Sequence, residues 1–290
     1  MNEDLILKTN SNETHFNAEY NGEICHFQLT DNELNQDSVI FTANLAKLLG
    51  LYTIDYHKYN SDAEKFYVYS KFIDFEKLTD GNVIINSYNI NEIKKEFILK
   101  KGDKGENFFK QFCQMIILDI FTLNCDRTHN NWLIENDNIL IYDYNFTFGS
   151  AGLLHGVTNY GLSKLLFDGI NEELNENLVS DKNKFLYERF NANHGLDLID
   201  FAEYIIQKST RDDTAHTKAD NEEIRLIPNY IKLIRYFTEE NIELDLINKI
   251  MNLSAESVFE SIPCDSKISS YGNQKYLSYI FNYIKNLIKK

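Results

Sequence analysis

The segment from Glu106 to Leu123 restricts the fold of this chain more than any other. Large apolar residues, among them Phe109, Phe112 and Ile116, fall on nearly every face of a helix drawn through it. A helix that is apolar on all sides has to be buried, either in a protein core or in a membrane. No stretch of the sequence approaches the roughly 18 consecutive apolar residues of a membrane-spanning helix. We therefore predict a buried central helix over residues 106–123.

The sequence before this helix follows a different pattern from the sequence after it. The first ninety or so residues contain short runs rich in β-branched and aromatic residues, which favour strands. A helical repeat of apolar residues between Ser38 and Leu49 interrupts them, with Asp37 or Ser38 as its cap and Gly50 after its last turn. The predicted strands are residues 5–7, 24–29 and 66–69, and further helical patterns occupy about 159–170, 184–208, 226–238, 241–261 and 272–288.

Together these patterns predict an α+β fold with two lobes. Residues 1–75 would form a small β-rich N-lobe with one helix, and residues 76–290 a larger, mainly helical C-lobe. A chain of 290 residues is long enough to bury a sizeable core without disulfides or metals.

The charge of the chain excludes some partners. It carries 29 basic and 44 acidic residues, a formal net charge of −15. This charge repels phosphate backbones and anionic lipid headgroups, so we expect no direct nucleic-acid partner and no membrane partner. The first residues, from Met1 to Asp4, lack the basic and apolar regions of a secretory signal, so we expect a cytoplasmic protein.

Two oxygen-bearing side chains flank a predicted hairpin after the central helix. The turn-forming residues 135–138 lie between two short apolar runs, a pattern typical of a β-hairpin. If the turn centres on Asp137, Asn131 lies opposite Asp143, and their Cβ atoms are about 4.5–5.5 Å apart. An amide oxygen and a carboxylate placed in this way can bind one small hard cation, which predicts a Mg²⁺ site.

A third polar residue, Asp126, lies five residues before Asn131, in the turn that leaves the central helix. Phosphoryl transfer needs a carboxylate that accepts or orients the proton of the nucleophile, and oxygen ligands for the ions that neutralise the phosphates. The spacing of Asp126, Asn131 and Asp143 is that of a protein-kinase catalytic loop followed by a metal-binding strand. We therefore predict an ATP- and Mg²⁺-dependent phosphotransferase, with Asp126 as the catalytic base and Asn131 and Asp143 as metal ligands.

The catalytic segment also resembles a known family. Residues 123–132, Leu-Asn-Cys-Asp-Arg-Thr-His-Asn-Asn-Trp, resemble the N-x-D-R-x-x-x-N-W loop of HipA-like bacterial Ser/Thr kinases and of type II phosphatidylinositol 4-kinases. Residues 141–143 are similar to the metal-binding segment of that family, and weaker similarities cover its N-lobe helix (44–50) and its hinge (69–72). The resemblance implies a two-lobed protein-kinase-like fold, a protein substrate with a Ser or Thr acceptor, and an antitoxin-like partner.

The resemblance further implies which residues contact ATP. The adenine would lie between the lobes, against the backbone of Ser70, Lys71 and Phe72. Gln28 stands where the family places a phosphate-pairing lysine, and the loop from Lys8 to His15 would hold the phosphates although it contains no glycine.

Other interpretations stay open at this point. Because Gln28 lacks the charge of a lysine, a nucleotide-binding pseudokinase that acts as a regulatory module is one alternative, and a small-molecule or phosphoinositide kinase is another. Arg127 is either a phosphate contact or a charge partner within the loop. We expect Asp119 and Asn124 to hold the catalytic loop through hydrogen bonds.

Overall fold

The computed structural model describes residues 6–7, 14–60, 65–74, 78–80, 90–124, 127, 131–145, 147–148, 226–268 and 270–289. The helices predicted over 159–170 and 184–208 lie outside the described residues. The described part of the chain mixes helices with antiparallel sheets, as the composition of its segments predicts. The division into lobes at residues 75 and 76 stays a prediction.

The first sheet is built from five antiparallel strands in the order β1-β2-β3-β5-β4. These strands are β1 (Ile6–Leu7), β2 (His15–Tyr20), β3 (Glu23–Thr30), β4 (His57–Asn60) and β5 (Phe66–Lys71). The three predicted strands are confirmed as β1, β3 and β5. Strands β2 and β4 were missed, and the sequence of β4, His-Lys-Tyr-Asn, carries almost no apolar signal.

Helix α1 (Glu33–Leu49) begins five residues before the predicted start, so the predicted caps Asp37 and Ser38 are wrong. Its cap is Asn32, whose side chain accepts a hydrogen bond of 2.8 Å from the Asn35 N–H. The first turn carries polar residues that are nevertheless buried, because partners from other elements satisfy them. Buried Asp37, for example, forms an ion pair with Lys58 and accepts a hydrogen bond from the Asn273 amide at 2.6 Å.

The second sheet has three strands, β6 (Thr79–Asp80), β7 (Trp132–Glu135) and β8 (Asn138–Ile141). The predicted hairpin is confirmed as β7 and β8, but its predicted register is wrong by one residue. Glu135 pairs with Asn138, so the turn holds two residues and centres between Asn136 and Asp137. This register, extended past the ladder, places Asn131 opposite Tyr142 and not opposite Asp143.

Six further helices and short turns complete the described chain. The helices after α1 are α2 (Ile90–Lys101), α3 (Gly105–Thr122), α4 (Leu226–Glu239), α5 (Leu244–Asn252), α6 (Ala255–Ser261) and α7 (Tyr271–Lys289). The central helix is confirmed as α3. The predicted helix over 241–261 is divided, because Ser254 caps α6 by accepting a hydrogen bond from the Ser257 N–H.

A single large core joins α1, α3, the hairpin and α7. Val68 of β5 belongs to this core, so one face of the first sheet points inward. The other face carries a separate small cluster around Phe27 and Tyr67. Side chains alternate between the two faces of a sheet, and residues directly opposite each other lie on the same face. Gln28 is opposite Val68 and therefore lies on the inward face. None of the helices in the described ranges is both long and apolar enough to cross a bilayer.

Candidate active site

Arg127 organises the segment between the central helix and the hairpin. Its guanidinium is fully buried and binds both carboxylate oxygens of Asp119, at 2.9 and 3.0 Å. Its remaining nitrogen, Nη1, donates to the carbonyl oxygens of Asn131 (2.5 Å) and Tyr142 (2.6 Å). One side chain therefore fixes the start of β7 and the end of β8 to helix α3.

This geometry decides between the two interpretations of Arg127. A guanidinium enclosed by protein partners is a structural charge partner and not a phosphate contact. Burial disfavours its charge, but the adjacent Asp119 carboxylate outweighs that cost and raises the pKa of Arg127 above its ordinary value. The ring of Tyr144 packs 5.5 Å from the guanidinium carbon and closes the other side.

The hydrogen bonds expected of Asp119 and Asn124 are present. The Asn124 side-chain amide donates to Asp119 Oδ1 at 2.9 Å, and the Asn124 carbonyl accepts a hydrogen bond from the Tyr230 hydroxyl. Leu123, between the end of α3 and Asn124, is buried and has a left-handed backbone with φ of 50°. Such a conformation is costly for a bulky residue and persists only where the surroundings fix it, as they often do at functional sites.

Asp143 comes directly after Tyr142 and also has a left-handed backbone, with φ of 57°. Its N–H donates to the Tyr56 hydroxyl at 3.2 Å, and its Oδ1 accepts from the Gln28 side-chain amide at 3.3 Å. The Asn145 N–H also points at Oδ1, at 3.4 Å. Asp143 is therefore held between the first sheet and the hairpin, in contact with the residue that stands in the predicted position of the phosphate-pairing lysine.

Several positioning residues around Asp143 were missed by sequence reasoning. Thr53 donates to the Ile141 carbonyl at 2.9 Å, and its hydroxyl lies 2.7 Å from that of Tyr144. Burial first, and then the Asp143 carboxylate, raise the pKa of the Tyr56 hydroxyl, which therefore stays protonated. No local pattern marks these residues, because they act only after the segment between α1 and β4 has paired with β8.

Helix α1 contacts the same region. The Asn35 side-chain amide donates to the Asn145 carbonyl at 2.6 Å. The first turn of α1 therefore bonds directly to the chain just after Asp143. Asp37, two residues further along α1, forms an ion pair with Lys58 and accepts a hydrogen bond from Asn273.

The predicted adenine contacts lie at the end of β5, on the strand next to Gln28. Ser70 is buried opposite His26, whereas Lys71 is exposed and pairs with Glu23 at 2.8 Å. Phe72 is 44% exposed, and its N–H donates to the Ile24 carbonyl. Neighbouring residues of a strand direct their backbone groups to opposite sides, so the Lys71 N–H and C=O point away from β3. Strand β4 lies on that side, but its last pair with β5 is His57 with Tyr69, so β4 does not reach Lys71. Lys8 lies outside the described residues.

The oxygen donors at the hairpin suit Mg²⁺. Within the described part of the chain, the hydrogen bonds to the Asp143 carboxylate all go to Oδ1, which leaves Oδ2 for a cation. The same part contains no group of three His, Cys, Asp or Glu residues that could hold a metal by itself. Mg²⁺ is commonly bound by one or two protein carboxylates together with substrate phosphates and water, so a site with few protein ligands, such as Asp143 and Asn131, fits Mg²⁺ better than a metal held by protein groups alone. Asp126 lies outside the described residues.

His26 makes the stability of the first sheet dependent on pH. Burial, with a smaller effect of His15, lowers the pKa of His26 from its ordinary 6.5 to about 4. Between these two pH values the unfolded chain binds more protons than the folded protein, so the free energy of unfolding falls as the pH falls. We expect His26→Gln to reduce this acid-induced loss, measured by urea unfolding at several pH values. An equal acid-induced loss of stability in the unmodified protein and in His26→Gln would contradict this role of His26.

Comparisons with known proteins add little to this geometry. The crystal structure of a Helicobacter pylori proinflammatory kinase CtkA is similar to this chain with a TM-score of 0.47 and 16% sequence identity, over 97% of this chain and 90% of that chain. No protein-family model and no curated protein sequence matches this chain. A similarity this distant carries no argument about function, which therefore has to be inferred from the residues themselves.

Proposed function

We propose that this protein is an ATP- and Mg²⁺-dependent kinase that transfers the γ-phosphate to a hydroxyl group, with a protein Ser or Thr as the acceptor. The observation that carries the proposal is the pair of hydrogen bonds from Arg127 Nη1 to the carbonyls of Asn131 and Tyr142. They hold Asn131 beside the residue that precedes Asp143. The backbones of Asn131 and of the residue before Asp143 are thus fixed to one guanidinium at the end of one hairpin.

The proposed roles follow from the chemistry of phosphoryl transfer. Bound Mg²⁺ would neutralise the phosphates, with Asn131 and Asp143 as its protein ligands. Asp126 would accept the proton of the attacking hydroxyl. The Arg127–Asp119 pair takes no part in the chemistry, and its role is to keep the ligands in place while the charges on the phosphates change.

The first sheet supplies the nucleotide side of the proposed site. Gln28 reaches Asp143 from β3, and Ser70 lies on the neighbouring strand, two residues beyond the partner of Gln28. Because the Phe72 N–H is already bonded to Ile24, we assign the hydrogen bonds to adenine to the outward-pointing backbone of Lys71. His15 pairs with Gln28, so the predicted phosphate loop that starts at Lys8 returns to the sheet at the level of Gln28.

A transfer assay with ATP labelled at the γ-phosphate tests the proposal. The unmodified protein is expected to label itself or an added protein mixture on Ser or Thr when Mg²⁺ is present, and to stop when Mg²⁺ is chelated. Asp143→Asn should abolish labelling. Absence of labelling, together with absence of ATP binding, would overturn the proposal.

A nucleotide-binding pseudokinase is the second candidate, and Gln28 is the observation that favours it. Its neutral amide contacts Asp143 and cannot supply positive charge to a phosphate. Under this candidate the unmodified protein binds Mg-ATP without transferring phosphate. We expect Gln28→Lys to raise ATP affinity and transfer, since an ammonium group would then lie beside Asp143 and the phosphates. Gln28→Leu, which has a similar volume and no charge, is the matched control.

A further inference from the structure

Among the residues that the structure describes, no lysine or arginine forms an ion pair with Asp143 or a hydrogen bond with Gln28, and Lys8 lies outside those residues. Gln28 is buried and uses its amide to contact Asp143. The Arg127 guanidinium is enclosed and already paired with Asp119. The phosphate groups of a bound nucleotide carry several negative charges, which a Mg²⁺ ion neutralises only in part.

His15 occupies the position next to Gln28 on the inward face of the sheet. The register of β2 and β3 pairs these two residues directly. The Leu29 N–H bonds to the Thr14 carbonyl, so the next pair along, His15 with Gln28, is of the non-hydrogen-bonded type, in which side chains lie closest. The Cβ atoms of such a pair are about 4.5–5.5 Å apart. Gln28 itself reaches the carboxylate of Asp143, so His15 lies one side chain away from the proposed metal ligand.

We propose that His15, in its protonated form, supplies to the nucleotide phosphates the positive charge that Gln28 lacks. This inference rests on the proposed function. His15 is exposed, at the end of β2 where the predicted phosphate loop joins the sheet, so a bound phosphate has access to it. Three described charged or titratable groups face His15. They are His26 on the neighbouring strand, Asp143, which Gln28 contacts, and Glu19 farther along the same face of β2.

The neighbouring His26 does not serve this role. Its ring stacks on that of His15 with the centroids 5.7 Å apart, and its Nδ1 lies 2.9 Å from the Asn17 side-chain oxygen. Burial keeps His26 neutral near pH 7, because its pKa is about 4. His26 therefore supports the ring of His15 without competing for the proton. Only the protonated imidazole of a histidine carries a charge, so a phosphate contact from His15 in that form makes nucleotide affinity dependent on pH.

The test measures the Kd of Mg-ATP by isothermal titration calorimetry at pH 6 and at pH 8. The variants are His15→Gln, which removes the charge, and His15→Lys, which fixes it. His57→Gln is the matched control, since His57 pairs with Tyr69 and so lies on the outer face of the same sheet. The protonation of ATP itself also changes with pH, and comparing each variant with the unmodified protein at the same pH removes that effect. Thermal unfolding of each variant shows whether it is folded under both conditions.

The expected result is a larger pH effect in the unmodified protein than in His15→Gln. The ratio of Kd at pH 8 to Kd at pH 6 should differ by roughly tenfold between them, as expected for one hydrogen bond to a charged group. His15→Lys should bind tightly at both pH values, and His57→Gln should behave as the unmodified protein. Equal ratios for the unmodified protein and His15→Gln would overturn the role of His15 and leave the kinase proposal intact. Failure of the unmodified protein to bind Mg-ATP at either pH would overturn the proposed function, and this inference with it.

Discussion

Arg127→Met is expected to lower the free energy of unfolding by roughly 3–5 kcal/mol, the usual effect of removing one partner of a buried ion pair. The substitution leaves the Asp119 carboxylate without its two guanidinium bonds in a site that water does not reach. It also frees the carbonyls of Asn131 and Tyr142. Urea unfolding followed by circular dichroism measures the effect, and affinity for Mg-ATP should fall with it.

Two control variants separate this explanation from a general intolerance of substitution. Arg235→Met changes the same residue type at an exposed position and should alter stability by no more than about 0.5 kcal/mol. The double variant Asp119→Leu/Arg127→Met removes both charges and should recover much of the stability, because no unpaired charge stays buried. If Arg127→Met is as stable as the unmodified protein, Arg127 does not fix the ends of β7 and β8 to α3.

Asp126→Asn is expected to reduce phosphate transfer by roughly 100-fold or more, in the range that removal of a general base produces. An amide has nearly the same shape as a carboxylate but cannot accept the proton of the acceptor hydroxyl. Binding of Mg-ATP should persist, since Asn131 and Asp143 are unchanged. Initial rates of labelling, measured at saturating ATP, give the comparison.

Asp137→Asn is the matched control for this variant. Asp137 lies in the hairpin turn, where its exposed side chain pairs with Lys104. The same exchange there should leave the transfer rate unchanged. Labelling by Asp126→Asn at the rate of the unmodified protein would exclude Asp126 as the base, and loss of labelling in both variants would show a general effect of neutralising carboxylates.

The parts of the fold that the sequence predicted are those with a strong local signal. Helix α3 was predicted within one residue at either end, because its apolar residues leave burial as the one physical option. The β7–β8 hairpin was predicted because turn formers separate two apolar runs. The sequence assigned Asp143 to the metal and Gln28 to the phosphates separately, and their side chains lie 3.3 Å apart.

The errors have long-range causes. The start of α1 was placed too late because Asn35 and Asp37 look exposed in sequence but are buried by partners more than a hundred residues away. The hairpin register was wrong because a two-residue turn and a three-residue turn have almost the same composition, yet they shift the pairing by one residue. The role of Arg127 could not be decided, since an arginine beside a predicted catalytic aspartate suits a phosphate and a carboxylate equally well.

The central claim is that Asp143 and Asn131 together hold a divalent cation against the phosphates of a bound nucleotide. Electron paramagnetic resonance of Mn²⁺, which accepts the same oxygen ligands as Mg²⁺, measures this most directly. In the presence of ATP, the unmodified protein should bind Mn²⁺ in a protein–nucleotide complex, and Asp143→Asn should lose that complex while it stays folded. Equal Mn²⁺ binding by the unmodified protein and Asp143→Asn, or no Mn²⁺ bound with ATP by the unmodified protein, would contradict the claim.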